Sequence, residues 1–408
     1  MKKLFVFLLA VCLLFVGAAG CAQKPAAAPS PTGETPVTDE TIYVPPVAPE
    51  TPSAPASEAP VSTELRHVDL EALHGLYAPD SVYATIGERE ITWDEYYEWL
   101  GTYVLSGENY METMAAYGRT GGWESEYAAG VSLADYVVAN LNDNLRAFTG
   151  IDDFAAANGV SVSEEELAVK KAEDMSAMLG ADATEEAWAD LLVRNFMTEN
   201  VYLAQAKANI QLRKVLEENY GQNGEKLSAA ALQHYIEDKE YLRCNHILFL
   251  TMNMETHEAL DEETIAAKKT QAEEIAAELQ SIENREELLA RFAELKAELD
   301  EDSGKTYFPD GYIFTPGTMV KAFEETTRAL TDFEVSAPVL SEYGYHVIIR
   351  LPIDADTTLD DGSTVGASAA SEIMAAELDE VVDALEFTLA PGVDPVNLLD
   401  FVTRDLDK

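Results

Sequence analysis

Two short stretches near the middle of this 408-residue chain constrain its fold more than any other feature. They are Tyr241–Leu250 and Ser341–Arg350, and both are rich in β-branched and aromatic residues. Such composition is typical of strands. Each stretch carries one histidine, His246 in the first and His346 in the second. Two helical patterns and an irregular segment lie between them, which predicts an α/β domain in this part of the chain.

Five short motifs follow one another through the same region. In order they are Asn-His-Ile-Leu at 245–248, Glu-Asp-Ser-Gly at 301–304, Phe-Thr-Pro-Gly-Thr-Met-Val-Lys-Ala-Phe-Glu at 314–324, Ser-Ala-Pro-Val at 336–339 and Gly-Tyr-His-Val-Ile at 344–348. Their identity and order resemble the parvulin-type peptidyl-prolyl isomerases. The resemblance implies an α/β parvulin domain over residues 241–352 that catalyses cis–trans isomerisation of X-Pro bonds.

The resemblance also implies the residues of an active site. The catalytic set is His246, Asp302, His346 and Ser341, and the substrate-binding set is Met319, Phe323, Tyr312 and Phe314. In the family, the two histidines face each other on neighbouring strands, and a Cys or Asp lies beside them. The apolar set forms a slot for the proline ring.

The chain departs from the family pattern in the second half of this region. The usual Gly-Gly-Asp-Leu-Gly is replaced by the segment Phe308–Phe314. Arg328 and Phe333 stand where an aromatic residue and a turn glycine are more common. We expect these changes to alter the shape of the pocket rather than the identity of the domain.

The loop after the first strand indicates which clients the domain accepts. Phosphopeptide-specific parvulins carry a basic cluster there, whereas Thr251–Glu263 contains no Lys or Arg and several carboxylates. A phosphate group would be repelled by this loop. We therefore expect unphosphorylated clients.

Prolyl isomerisation makes modest chemical demands, because it breaks no covalent bond. Its barrier, about 18–20 kcal/mol, is the loss of amide resonance. An apolar slot and a polar group at the twisted amide suffice, so we expect no metal and no cofactor. Simpler interpretations stay open: either histidine could be structural, and Asp302 could be an ordinary loop acid. Cys244 and His246 suggest a metal only weakly, since no further Cys or spaced His completes a tetrahedral set.

The N-terminus predicts export. Met1–Lys3 is basic, and Leu4–Ala19 is an apolar run too short for a typical membrane-spanning helix, so residues 1–20 are typical of a signal peptide. The following Cys21 completes an Ala-Ala-Gly-Cys sequence that resembles a bacterial lipoprotein processing site, although leucine usually stands in place of Ala18. We expect lipidation of Cys21 and anchoring to the outside of the bacterial cell membrane. An ordinary cleaved signal with an incidental cysteine is the alternative.

The remaining segments predict an α+β protein in which the α/β parvulin domain is inserted into a helical chaperone domain. Residues 21–63 are rich in proline, which is typical of a disordered tether. Residues 64–240 are predicted to be helical, apart from two short strands at 81–86 and 89–92, and to include one long helix from Thr184 through Leu216. The stretch at 84–96 resembles the start of PrsA-like and SurA-like foldases. Residues 353–408 contain a last amphipathic helix, expected to pack on the N-terminal helices.

Charge narrows the possible partners. Acidic residues outnumber basic ones 74 to 27, for a net charge of −47. Such a chain repels nucleic acid and anionic lipid headgroups and favours basic, unfolded polypeptides. The resemblance to parvulin-type foldases and the N-terminal export signal together imply a membrane-tethered foldase for secreted polypeptides, and the charge is compatible with such clients. The alternative is a holding chaperone whose parvulin domain binds peptide without isomerase activity, and the oligomeric state stays open.

Overall fold

The computed structural model describes residues 78–118, 121–195 and 197–399. The predicted signal peptide, Cys21 and the tether lie outside these residues. The described chain is α+β and helix-rich, as predicted. Across the described ranges, none of the helices combines the length and apolar character needed to span a membrane.

The chain divides into two compact units. Within the described residues, the first contains 78–152, Val162–Asn209 and 384–399, and the second contains Asp153–Ser161 and Ile210–Asp383. The elements that lie wholly or mainly in the first unit are β1 Val82–Ile86, β2 Arg89–Thr92, α1 Trp93–Ala116, β3 Glu126–Ala128, β4 Val131–Ser132, α2 Leu133–Ala157, α3 Glu164–Leu179, α4 Glu185–Arg194, α5 Glu199–Val215 and β9 Phe387–Leu389.

Strand β1 is the centre of a three-stranded antiparallel sheet in the first unit, in the order β2-β1-β9. Tyr96 of α1, Trp188 of α4 and Leu398 near the C-terminus lie in one apolar core with Ile86 of this sheet. The C-terminal residues thus complete both the sheet and the core of the first unit.

Side-chain caps explain where the helices of the first unit begin. Thr92 and Ser163 accept hydrogen bonds from backbone groups of α1 and α3, and Ser163 forms a reciprocal capping box with Glu166. The prediction of one helix from 184 through 216 is wrong. Helix α4 ends where the Asn195 side chain donates to the Leu191 carbonyl at 2.7 Å. Polar residues of this kind compete for backbone hydrogen bonds.

The second unit contains the predicted parvulin region. Its elements are α6 Ala229–Asp238, β5 Leu242–Leu250, α7 Glu262–Gln280, α8 Arg285–Leu299, β6 Tyr312–Phe314, α9 Lys321–Ala329, β7 Val339–Leu340, β8 Gly344–Arg350 and α10 Val365–Asp383. The strands form one antiparallel sheet in the order β6-β5-β8-β7. The two histidine-bearing strands, β5 and β8, are therefore its central pair.

The alternation of side chains along β5 and β8 separates two cores. Ile247 and Val347 point to one face, where they pack with residues of α7 and α8. Cys244 and Ile348 point to the other face, where they pack with Phe323 of α9. His246 and His346 share the parity of this second set, so the sheet places them on the face covered by α9.

One departure from the family pattern has a structural consequence. Phe333, at the position of a turn glycine, adopts a φ of 66°, a left-handed conformation that costs a non-glycine residue about 1–2 kcal/mol. The Arg285 guanidinium lies 3.9 Å from the centroid of its ring, a cation–π contact that offsets part of this cost.

The segment at 353–408 is divided between the two units. Val365 and Ala369 of α10 pack with Tyr235 and Ile236 of α6 inside the second unit, whereas β9 belongs to the sheet of the first unit. The domain scheme with boundaries at 240 and 352 stays a prediction.

Candidate active site

The two histidines meet at the centre of the sheet. The register pairs His346 with Leu248 and His246 with Ile348, so the histidines are diagonal neighbours on one face. Their Nδ1 atoms lie 2.9 Å apart, and their rings are nearly parallel, at 15°. Both residues are only 4% exposed. Neither histidine can turn toward water without breaking this contact.

Asp302 approaches the histidines from the segment after α8, where it caps a 3₁₀ turn at Ser303–Thr306. Its Oδ2 atom lies 3.1 Å from His246 Nε2, and its Oδ1 atom accepts from the Gly304 N–H at 2.9 Å. Burial raises the pKa of Asp302, but the hydrogen bonds from His246, Tyr312 and Gly304 outweigh burial and hold that pKa well below its usual range. The carboxylate is therefore charged at neutral pH.

Hydrogen bonds link four polar side chains through the site. The two Nδ1 atoms contact each other, so one of them donates and the other accepts. The Ser341 Oγ lies 2.7 Å from His346 Nε2 and is hydrogen-bonded to it. Burial, and then the neighbouring His246, lower the pKa of His346 to about 3, which keeps this ring neutral. The hydrogen-bonded chain connects Ser341 through both histidines to the Asp302 carboxylate.

An apolar floor supports the paired rings. Phe323 of α9 is 4% exposed and meets both histidines edge to face, with centroid distances of 5.1 Å to His246 and 5.3 Å to His346. Phe314 packs on Phe323, and Met319 is partly buried against the same cluster. The structure thus brings the predicted catalytic and substrate-binding residues into one place. Their individual roles stay predictions.

Tyr312 makes a polar contact that the sequence analysis does not anticipate. It is predicted as a pocket wall, yet its hydroxyl donates to Asp302 Oδ2 at 2.5 Å. Burial and this hydrogen bond raise the pKa of Tyr312. A Cβ atom at Gly304 would collide with the Tyr312 hydroxyl, so the contact depends on glycine at that position. Phe308 packs against the Tyr312 ring, with centroids 4.9 Å apart.

Three further polar residues lie behind the site, and the sequence patterns assign them no role. They contact the backbone of β5, the backbone of Asp302 or one another, and they are Asn245, Lys296 and Asp300. The burial of a lysine and an aspartate is the kind of signal that only a structure gives. Among the described residues, no group of three or more His, Cys, Asp or Glu side chains is arranged to hold a metal ion.

The chain is similar to known peptidyl-prolyl isomerases and foldases. The family described as "Rotamase: PPIC-type PPIASE domain" matches residues 246–351. The peptidyl-prolyl cis-trans isomerase pin1 of Rhizopus delemar is 35% identical over 112 residues, which are 27% of this chain and 73% of that protein. The foldase protein PrsA of Geobacillus kaustophilus is 34% identical over 125 residues, 30% of this chain and 36% of that protein.

Solved structures show a related but more distant similarity. The crystal structure of PrsA from Bacillus subtilis aligns with a TM-score of 0.22 and 18% identity, over 81% of this chain and 93% of that one. The chain spans 25% to 54% of the length of the curated PrsA relatives it matches. Since the isomerase of Rhizopus delemar is matched over most of its length and the family match covers the histidine network, the chain belongs to the PPIC-type, or parvulin-type, peptidyl-prolyl isomerase family.

Proposed function

We propose that this protein is an extracytoplasmic, membrane-anchored foldase that isomerises X-Pro bonds in secreted, unphosphorylated polypeptides. The observation that carries the proposal is a charged Asp302 hydrogen-bonded to buried, paired histidines directly above the apolar Phe323 floor. Such a site offers an apolar surface to a proline ring and a fixed negative charge to the adjacent amide. Both are needed to twist a prolyl peptide bond.

The Asp302 charge acts on amide resonance. A planar amide carries partial negative charge on its oxygen, and rotation to the perpendicular state removes much of it. An anion close to the carbonyl disfavours the planar form more than the twisted one, so the difference lowers the barrier. Because His246, Tyr312 and Gly304 hold the carboxylate in place, no reorganisation is needed at the moment of rotation.

The histidine pair positions this charge rather than transferring protons. His346 stays neutral at physiological pH and is fixed at one end by Ser341 and at the other by His246. His246 in turn directs its Nε2 atom at Asp302. In this account, the loss of either ring displaces the carboxylate and also disturbs the Phe323 floor.

Charge near the site supports unphosphorylated clients. The loop at 251–263 carries Glu255, Glu258, Asp261, Glu262 and Glu263 and no Lys or Arg. Lys268, the first lysine beyond the loop, is paired with Glu301 at 2.5 Å. A client segment that follows this surface meets carboxylates, which favours basic or neutral side chains over phosphorylated ones.

The names of the PrsA and SurA relatives, foldase and chaperone, support action on unfolded polypeptides. Export and lipidation at Cys21 would place that action outside the cell membrane. The second candidate function, a holding chaperone without significant isomerase activity, is favoured only by the acidic, chaperone-like composition.

One experiment separates the two functions. The cis–trans exchange rate of an Ala-Ala-Pro-Phe peptide is measured by NMR exchange spectroscopy with the full chain, beside its suppression of aggregation of an unfolded client. Accelerated exchange supports the foldase. Suppressed aggregation with exchange at the uncatalysed rate would support the holding chaperone instead.

A further inference from the structure

A buried pair of opposite charges lies behind the site and has no role in the proposed chemistry. Lys296 lies in the last turn of α8 and is 7% exposed, and Asp300 follows the helix and is 4% exposed. Lys296 Nζ lies 3.9 Å from Asp300 Oδ2. A buried ion pair is often less stabilising than apolar residues of the same size. Its presence here calls for an explanation other than stability.

Asp300 joins the site loop to the central strand. Its Oδ1 atom accepts the Leu248 N–H at 2.9 Å and the Asp302 N–H at 3.1 Å. Strand β6 pairs with β5 only from Leu242 to Cys244, so it does not reach Leu248. The carboxylate therefore fixes the Asp302 backbone directly to the strand that carries His246.

Lys296 is linked through Asn245 to His246, the residue whose ring contacts Asp302. Its Nζ donates to Asn245 Oδ1 at 2.5 Å, and the same oxygen accepts the His246 N–H at 2.9 Å. The buried pair thus reaches the backbone of His246 through Lys296 and Asn245, and the backbone of Asp302 through Asp300. These are the two residues whose side chains meet at 3.1 Å.

The two charges depend on each other. Asp300 Oδ2 is buried and accepts no hydrogen bond from the described residues, so Lys296 is the cation that balances it. Burial lowers the pKa of Lys296, and the Asp300 carboxylate opposes that shift. Lys305 Nζ bonds to the Asp300 backbone carbonyl. The other titratable groups coupled to this pair are Asp302, Cys244 and Tyr312.

We propose that Lys296 and Asp300 are positioning residues, a buried ion pair that sets the distance between the Asp302 carboxylate and the His246 ring. The inference rests on the proposed isomerase function, which it extends to two residues that touch no substrate. Loss of Lys296 removes the donor that holds Asn245 Oδ1 and takes the ion-pair partner from the Asp300 carboxylate. The links from this pair to the His246 and Asp302 backbones are then weakened.

The test compares Lys296→Met, Asp300→Asn and the double variant in the full chain, with circular dichroism and thermal midpoints to check folding. We measure kcat and KM for the Ala-Ala-Pro-Phe peptide. Lys296→Met and Asp300→Asn should each lower kcat about tenfold with KM nearly unchanged, because each breaks one link to the site. The double variant should lose less than the product of the two single losses, because the two residues act as one unit. Lys269→Met, at an exposed lysine of α7, is the matched control and should behave as wild type.

A folded Lys296→Met with the kcat of the wild type would overturn the proposal, as would single losses of kcat that multiply in the double variant. If Lys296→Met fails to fold, Asp300→Asn decides: a lowered kcat with unchanged KM supports the proposal, and a wild-type kcat overturns it. Histidine ¹H–¹⁵N NMR separates failure of the positioning role from failure of the proposed isomerase function. The imidazole signals of His246 and His346 should shift in Lys296→Met but not in Lys269→Met, whether or not the wild type is active.

Discussion

Phe323 is the residue on which the apolar and polar halves of the site meet, because its ring touches both histidines edge to face. Phe323→Ala should remove the surface for the proline ring and reduce kcat/KM by roughly an order of magnitude or more. Truncation of a buried aromatic also costs about 3–5 kcal/mol of stability. Phe292→Ala, at a residue of α8 that is similarly buried in the core between α7 and the sheet, is the control for that loss. Equal kcat/KM values in the two folded variants would refute the pocket role.

His346 makes the stability of the second unit depend on pH. Its folded-state pKa is about 3, below the ordinary value of 6.5, so the unfolded chain binds a proton that the folded chain excludes. Stability should be full above about pH 6.5 and should fall as the pH decreases toward 3, by at most about 1.4 kcal/mol per pH unit from this group. Urea unfolding between pH 4 and 8 measures the slope.

His346→Gln should flatten that slope, whereas His234→Gln, at a histidine whose side chain is 75% exposed, should leave it unchanged. If the His346→Gln variant kept the wild-type slope, the buried neutral imidazole would not be its source.

Sequence patterns locate the histidines, Asp302 and Phe323, since short motifs carry each of them, and Ser341 is located by its place between the last two motifs. They do not reveal the hydroxyl contact of Tyr312 with Asp302, because it depends on close approach over Gly304. They also miss the Lys296–Asp300 pair. A lysine in a charged helix is predicted to be solvent-exposed until the packing of α8 against the sheet is known.

Among the helices, local sequence signals predict some boundaries and miss others. One of the two helical patterns between the histidine-bearing stretches forms α8, which begins at its Asn284 cap and has a continuous apolar face. The break between α4 and α5 is missed because the apolar pattern continues across it, while Asn195 ends one helix and the Thr198 side chain caps the next. The φ of Phe333 could be suspected only from the family's glycine at that turn.

Strand β9 is predicted to stabilise the first unit. It pairs with β1 from Ala84 to Ile86, and Leu398 beyond it is 2% exposed in the first core. Removal of residues 384–408 should expose an edge of β1 and open that core, and so lower the thermal midpoint of the first unit. Leu398→Ala alone should cost about 2–5 kcal/mol.

Leu340→Ala, at a residue that is 55% exposed, is the control for Leu398→Ala. Differential scanning calorimetry of the full chain and the variants measures the transitions. An unchanged midpoint in the truncated chain would show that the first unit does not need its C-terminal strand.

The proposed lipid anchor would hold the whole molecule at a membrane surface. If Cys21 is lipidated, Cys21→Ser should move the protein from the membrane fraction to the soluble fraction, while isomerase activity per molecule stays the same. Fractionation of cells that express each form, with and without globomycin, measures this. Membrane partitioning that is equal in both forms and insensitive to globomycin would contradict lipid anchoring.

The central claim is that the Asp302 charge, held by the buried histidines, lowers the barrier to rotation. The most direct measurement is the cis–trans exchange rate of the Ala-Ala-Pro-Phe peptide with the full chain and its Asp302→Ala variant, beside the peptide Kd of each. Asp302→Ala should lower kcat by about tenfold to a hundredfold, with the peptide Kd changed by less than about twofold. A folded Asp302→Ala variant with the wild-type kcat would contradict it.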